Sequence, residues 1–460
     1  MCSWTEEELR YVELGDRRRT KRLIRMVKKL AEKPSAGIPE AMESRKETKA
    51  SYRFLATKDD EAQKIRQAHI LQTVKRVEKS GAVLVIQDTT ELDFTPHRAT
   101  RGLGVLSHPA HRGLKVHTAL AVSMEGTPLG VIHQKVWVRD EQEVGKRHRR
   151  YGLPTAQKES QLWLETEQAV QAQLPSEVKV VVIADREADI YDYLAQERRE
   201  GMAVLIRAVQ DWRVKDQGGK RLWEAIRSQP VGGEMTVEVG RRCDRWPRQA
   251  RVSLRWMQMQ IEPPLHRQGR QNLPAIAVSV ILVEEQEPPP GEKGLVWLLL
   301  TTLKVEEITQ AQQCLRWYAL RWQIERYHFV LKSGCQVEKL QLSDAKSLER
   351  ALAIYCIIAW RLLWLTYEGR RQPTQSCETI LQREEWEALC CLVDRTEQPP
   401  AEAPSLEQAI HKIACLAGFL GRKGDGSPGV KTLWRGWRAL QMVVEMYRVM
   451  RNSVPPSSDG

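Results

Sequence analysis

Ala82-Val83-Leu84-Val85-Ile86-Gln87-Asp88 is a short, mostly apolar run that ends in an acid. Such a run marks a buried strand at the centre of a sheet, and its terminal carboxylate falls at the carboxyl edge, where open α/β sheets place their ligands. A second run of the same kind, Val180-Val181-Val182-Ile183-Ala184, ends in Asp185. Between the two, Val116 to Ser123 and Leu129 to Val138 read as strands joined by the turn Glu125-Gly126-Thr127-Pro128, and 156–174 reads as a helix. A short helix from Ala188 and a strand from Ala203 to Arg207 complete the order β-β-β-α-β-α-β, so the fold class is α/β.

The flanking regions differ in character. From Trp212 to Pro290 the pattern alternates as in exposed sheets, with strands expected at Glu234 to Val239, Ala250 to Ile261 and Pro274 to Glu284, a β-rich insertion closed by Pro288-Pro289-Pro290. A strand resumes from Gly294 to Thr301, followed by a long helix from Glu306 to Ser333 and an apolar helix from Ser343 to Tyr367. Past a linker with Pro399, Pro400 and Pro404, two last helices are expected near Leu406 to Leu420 and Gly429 to Met450, and residues 6–57 are helical in pattern as well. This divides the chain into a helical domain at 1–65, a core at 66–370 carrying the insertion at 212–295, and a helical domain at 371–460.

With 42% hydrophobic and 28% charged residues in 460, the composition is that of a folded protein and not of a disordered basic tail. Lys and Arg number 71 against 59 Asp and Glu, a net +12 that points to a polyanionic partner, either nucleic acid or an anionic membrane surface. No apolar run approaches the roughly 18 residues that span a bilayer, and the first residues are acidic, so neither a membrane span nor a signal peptide is expected. Nine cysteines without a C-x-x-C pair argue for reduced thiols in a cytosol. His108, His111 and His117 lie close together but lack a nearby fourth ligand for zinc.

The positive charge is concentrated. Residues 17–33 hold nine cations and one acid, Glu32, a local +8, while Leu23, Ile24, Val27, Leu30 and Ala31 recur at helical spacing on the other side. A solvated helix face is one reading. The near absence of compensating acids favours the other, contact with phosphates. The basic hexamer Gly145-Lys146-Arg147-His148-Arg149-Arg150 leaves the same two readings open.

Two acids at strand ends are by themselves a weak sign of a metal site, since acids there commonly begin turns. The long helix adds Tyr318, Arg321, Glu325 and Lys332, at offsets of 0, 3, 7 and 14, which would share one stripe of a regular helix. A carboxylate set among a tyrosine and two cations suits a metal ligand flanked by donors for phosphate oxygens. The alternative is a solvated Arg321–Glu325 ion pair.

The pattern Tyr-x2-Arg-x3-Glu-x6-Lys, with Asp88-Thr89-Thr90 and Asp185-Arg186-Glu187-Ala188-Asp189 before it, resembles the insertion-sequence-four group of DDE transposases. The likeness extends over nearly the whole chain, through Leu14-Gly15-Asp16, Arg18-Arg19-Thr20, Arg22-Leu23, Tyr52-Arg53-Phe54, Trp297-Leu298-Leu299-Leu300-Thr301 and the C-terminal helices. It implies a ribonuclease-H-like catalytic core with a β-rich insertion, flanked by helical domains. It implies Asp88, Asp185 and Glu325 as a catalytic triad that holds two Mg²⁺ or Mn²⁺ ions. Tyr318, Arg321, Lys332 and Arg207 would then grip phosphates. Trp297 and Trp322 would stack bases, with core packing as the alternative for Trp297. Arg18, Arg19, Arg22, Arg25 and Arg53 would contact DNA. Where the resembled pattern has a lysine one turn after its glutamate, this chain has Phe329. The activity implied is cut-and-paste transposition by a cytoplasmic homodimer on paired ends of double-stranded DNA, with no membrane partner: binding of terminal inverted repeats, nicking, hairpin formation and resolution, and strand transfer to target DNA. The alternatives are a catalytically silent regulator and a metal-dependent nuclease.

Overall fold

A computed structural model describes residues 3–57, 60–140, 154–215, 217–240, 248–265, 269–422 and 424–453. The N-terminal helical pattern resolves into α1 (Trp4–Glu8), α2 (Arg17–Glu32), α3 (Ile38–Met42) and α4 (Arg45–Leu55), followed by α5 (Glu61–Ser80). Side-chain caps set the breaks: the Asp16 carboxylate accepts the Arg18 N–H at 2.7 Å to start α2, and the Ser44 hydroxyl accepts the Glu47 N–H at 3.2 Å to start α4. Leu23, Met26, Val27 and Leu30 on the inner face of α2 are buried, while Arg17, Arg18, Lys21 and Arg22 are exposed.

The central sheet takes β1 (Ala82–Asp93), β2 (Gly104–Val105), β3 (Arg112–Val122), β4 (Pro128–Trp137), β5 (Lys179–Ala184), β6 (Met202–Arg207), β7 (Gly233–Val239), β8 (Arg248–Ile261), β9 (Ile276–Glu285) and β10 (Val296–Thr301). Their order across it is β4-β3-β1-β5-β6-β10-β9-β8-β7, with β2 pairing the start of β3. β1, β5 and β6 run parallel to one another, and the other pairings are antiparallel. The strands expected as an insertion, β7 to β9, therefore extend the central sheet from β10. Helix α6 (Gln161–Gln173) crosses from β4 to β5, and α7 (Tyr191–Leu194) and α8 (Leu222–Arg227) follow later in the chain.

Alternate side chains of the central strands feed two separate cores. Leu84, Ile86, Val181, Ile183, Leu205 and Leu299 belong to one. Val83, Val85, Val180, Val182, Val204 and Ile206 belong to the other, with Trp163 of α6 and Tyr191 of α7. The first core is continuous with the apolar faces of the N-terminal helices and with α9 (Ile308–Ala319), α10 (Trp322–Phe329) and α11 (Ala345–Arg371). A third cluster joins α12 (Arg383–Asp394), α13 (Leu406–Cys415) and α14 (Val430–Ser453).

Two expectations are corrected. β1 does not stop at Asp88 but runs on to Asp93, because β3 keeps pairing with it as far as Gly113. Only the parallel partner ends early, the last β1–β5 pair being Ile86 with Ile183. The single helix from Glu306 to Ser333 is broken twice. At Leu320 and Arg321 the backbone tightens to three-residue hydrogen bonds, and after Phe329 a π-turn spans Val330–Gly334, with the Cys335 N–H reaching the Val330 carbonyl at 2.8 Å. Tyr318, Glu325 and Lys332 thus sit on three successive pieces and not on one straight stripe.

Both ends of the chain are tied to the core. Buried Glu8 accepts from Arg76 at 2.9 and 3.0 Å and lies 2.5 Å from His69 Nδ1. His69 Nε2 accepts the Val131 N–H at 2.9 Å, so Nδ1 carries the proton that is donated to Glu8. Burial raises the Glu8 carboxyl, but His69 and Arg76 together outweigh it and bring the pKa down to about 2. At the other end, the Trp437 indole N–H donates to the Ala31 carbonyl at 3.1 Å, which seats α14 against α2. Among the described residues no helix is long and apolar enough to cross a membrane.

Candidate active site and nucleic-acid interface

Continuing the parallel β1–β5 register two residues past Ile86 and Ile183 sets Asp88, midway along β1, level with Asp185, just past the end of β5. Asp185 lies in the turn after β5, where its side chain accepts the Glu187 N–H at 2.7 Å. Glu325 comes from α10, which packs against β1. The three carboxylates, far apart in sequence, are thus brought within electrostatic reach of one another where β5 stops and β1 runs on. Burial first, then the Asp185 carboxylate, push Asp88 up to about 7, with Glu325 adding to the rise; Arg321 and the Thr89 N–H, at 2.9 Å, pull the other way. A carboxyl so placed resists ionisation until a cation is supplied.

In kind, three hard carboxylate donors suit a divalent ion. As the side chains stand, no group of three or more His, Cys, Asp or Glu among the described residues is closed enough to hold one. One reason is visible: Glu325 is held by Arg321 at 2.5 Å, the i, i+4 ion pair, with Arg321 largely buried and Glu325 about 38% exposed. A residue that the sequence reading passed over stands behind Asp88. His328, three residues after Glu325, is buried with Nδ1 3.8 Å from the Asp88 carboxylate, and its Nε2 has no hydrogen-bond partner among the described residues. Burial and Lys332 push His328 down to about 3, so the contact has the geometry of an ion pair without its charge. Its spacing from Glu325 was the available signal, but a histidine on an apolar helix face reads equally as core.

Around the carboxylates the other candidates divide. Tyr318 is buried, its phenol pushed up to about 12 by burial despite Arg321 and Arg207 nearby, and it therefore stays a donor. The half-buried Trp297 ring packs edge-on against Tyr318, with centroids 5.2 Å apart. Arg207 closes β6 and donates to the Val296 carbonyl at 3.3 Å, beside Trp297. The Arg321 guanidinium also lies over the Trp322 ring at 5.4 Å, and Trp322 is 39% exposed. Lys332, in the π-turn, acts electrostatically on Asp93 and His328.

On α2 the structure finds acids that the local sequence does not show. Glu47 faces Arg25 at 3.2 Å and Lys29 at 3.0 Å, Glu43 faces Lys29 at 3.2 Å and also pairs with Lys33, and Glu445 of α14 faces Lys33 at 3.3 Å. Arg19 turns inward to Glu61 and donates to the Thr57 hydroxyl at 3.1 Å. Among the described residues Arg17, Arg18, Lys21, Arg22 and Lys28 carry no ion pair, so most of the unneutralised charge lies in the first turns of α2; Arg53, at the end of α4, is exposed too.

The three histidines do not converge. His117 lies buried inside the sheet at 2.8 Å from the Thr89 hydroxyl, while His111 stands 3.1 Å from Asp93 in an outer loop, its ring 4.9 Å from that of His108. The basic hexamer 145–150 lies outside the described residues.

Three family models match the chain: transposase DNA-binding at residues 1–59, transposase DDE domain at 93–361, and transposase Tn5 dimerisation domain at 357–455. The DDE match begins five residues beyond Asp88 and includes Asp185, Tyr318, Arg321, Glu325 and Lys332. The family generally uses divalent metal ions, and its enzymes transfer phosphoryl groups. The DNA-binding and dimerisation matches give the chain a DNA partner and a means of self-association. With well over half of the 460 residues under the DDE model and both flanking models in order, the chain belongs to the DDE transposases, in the Tn5-like branch of the insertion-sequence-four group.

Proposed function

We propose that this enzyme is a cut-and-paste transposase whose catalytic core is ribonuclease-H-like, with Asp88, Asp185 and Glu325 as its carboxylates. The observation that carries the reading is the approach of these three acids: burial first, then the Asp185 and Glu325 charges, hold Asp88 at about 7 in a chain of net +12. A DNA-binding protein gains nothing from three acids facing a phosphate unless cations sit between them. The strand order β4-β3-β1-β5-β6, three antiparallel strands followed by two parallel ones, supports the core assignment.

Asp88, Asp185 and Glu325 would hold two Mg²⁺ or Mn²⁺ ions. When bound, such a pair supplies activation of the attacking water or 3′-hydroxyl and stabilises the leaving oxygen. The chain's own groups do the rest. Tyr318, kept protonated, donates to a phosphate oxygen. Arg321 holds Glu325 and, once released, offers a planar fork to the transferring phosphate. Arg207 and Lys332 flank the path of the strand. Trp297, edge-on to Tyr318, and exposed Trp322 would stack bases while the strand ends join in a hairpin, at about 1 to 3 kcal/mol per base.

The first turns of α2, with Arg53, bind the terminal inverted repeats, and the steps run from nicking through hairpin formation and resolution to strand transfer in a homodimer on paired ends. Met442, Met446 and Met450 form an exposed apolar stripe along α14, at 53%, 66% and 66%, which supports self-association there. We read 1–65 as the DNA-binding domain, 66–370 as the catalytic core and 371–460 as the dimerisation domain, acting in the cytoplasm.

Incubation with Mg²⁺ and duplexes carrying the element's ends tests this. Wild type should release hairpin-ended product, and Asp88→Ala, Asp185→Ala or Glu325→Ala should bind the ends without cutting them. Equal products from wild type and Asp88→Ala would remove the catalytic reading and leave a silent regulator. Cutting without end specificity would leave a nuclease.

A further inference from the structure

A cavity of about 300 Å³ opens between the π-turn after α10 and the start of α14. Its walls carry Phe329, Ser333, Trp434, Lys431, Arg435 and Arg438, and among the described residues no acid lines it. The Phe329 and Trp434 rings meet at 5.3 Å and 52°, Trp434 buried beneath and Phe329 42% exposed above. The close fit depends on Gly334, since a Cβ there would come within 3.0 Å of the Trp434 ring. Arg438 is engaged by Glu40 at 3.3 Å, but Lys431 and Arg435 are exposed and, among the described residues, carry no ion pair. Phe329, in its wall, lies one turn beyond Glu325 on α10, about 6 Å along the helix axis.

We propose that this cavity is a nucleotide subsite for the DNA strand leaving the carboxylates, its phosphate held by Lys431 and Arg435 and its base or sugar laid on Phe329. The proposal rests on the transposase reading and deepens it. Two unneutralised cations beside an exposed aromatic face, without an acid between them, match a phosphodiester carrying a planar base. It gives Phe329 a positive role at the position where the cation of the resembled pattern is missing, the charge coming instead from α14.

The test uses the full chain and duplexes of the element's end in which single phosphates near the cut are replaced in turn by neutral methylphosphonates. Wild type should lose affinity when one or two particular phosphates are neutralised. The Lys431→Gln/Arg435→Gln variant should be indifferent at those positions, and between 50 and 200 mM salt its affinity should fall about twelve-fold less than that of wild type. Phe329→Leu should weaken binding by about five-fold or more with the salt dependence unchanged. If wild type binds the ends but the variants keep its methylphosphonate profile, affinity and salt dependence, the subsite does not exist. If the variants instead shift the monomer–dimer balance in sedimentation while DNA binding is untouched, the cavity belongs to a protein interface and the proposal falls. If wild type binds no ends at all, the proposed cut-and-paste reading fails and takes the subsite with it, an outcome distinguishable from the other two.

Discussion

Replacing Arg18 and Arg22 together with alanine should change how DNA binding responds to salt, and replacing Lys29 and Lys33 should not. The four residues look alike in sequence, all cations of one helix. In the fold Lys29 and Lys33 already face Glu43, Glu47 and Glu445, whereas Arg18 and Arg22 face solvent. Only a cation that neutralises a phosphate releases a condensed counterion, and each such contact contributes about 0.9 to the slope of log K against log salt. The Arg18→Ala/Arg22→Ala protein should therefore lose about 1.8 from that slope, so between 50 and 200 mM salt its affinity falls about twelve-fold less than that of wild type. Lys29→Ala/Lys33→Ala should shift the slope by well under one. Fluorescence anisotropy on a labelled terminal-repeat duplex across a salt series measures both. Equal slope changes in the two variants would refute the division of α2 into a reading half and an anchored half, and no change in either would remove α2 from the interface.

Glu8→Gln should destabilise the attachment of α1 to α5. With the carboxyl at about 2 in the fold against an ordinary 4.5, its ionisation contributes on the order of 3 kcal/mol. The pKa is depressed, so this contribution is complete above about pH 4.5 and is lost as pH falls toward 2. The stability gap between wild type and Glu8→Gln in urea unfolding should narrow by about 1.4 kcal/mol from pH 7 to pH 3.5, and a gap independent of pH would contradict the assignment. Asp88→Asn should raise the melting temperature in chelator, because it removes one of three mutually repelling carboxylates, and should lose most of the shift that Mg²⁺ gives wild type. A full Mg²⁺ shift in the variant would place the ion elsewhere. Gly436→Ala should loosen the C-terminal unit, since the added Cβ would lie 1.8 Å from the Ile413 carbonyl oxygen and force α14 off α13. Limited proteolysis and sedimentation should show earlier cleavage after α12 and a weaker dimer, and unchanged behaviour would mean that the two helices can part without cost.

Much of the candidate site's local structure was legible in one dimension. Apolar runs ending in Asp88 and Asp185 declared buried strands because an uninterrupted aliphatic stretch has few other stable places to go, and the spacing from Tyr318 to Lys332 carried a pattern rare enough to recognise. Periodicity also placed the apolar face of α2 correctly, since Leu23, Val27 and Leu30 are all buried. What failed was the assumption of regular continuation. Asp88 looked like a strand end, but β3 holds β1 extended to Asp93; a straight helix was expected where a tight turn at Leu320 and a π-turn after Phe329 redirect Lys332 toward Asp93.

The sequence by itself determined which residues carry charge, which faces must be buried and which acids are candidates for the reaction, because these follow from residue type and local period. Only the tertiary structure decided which charges are free. Glu43, Glu47, Glu61 and Glu445 are 10 or more residues from the cations they neutralise, and no local pattern announces them. The same holds for the burial and neighbouring acids that lift Asp88, the histidine behind it and the cationic cavity beside Phe329. Electrostatic energy depends on distance in space, and the chain brings these groups together only by folding.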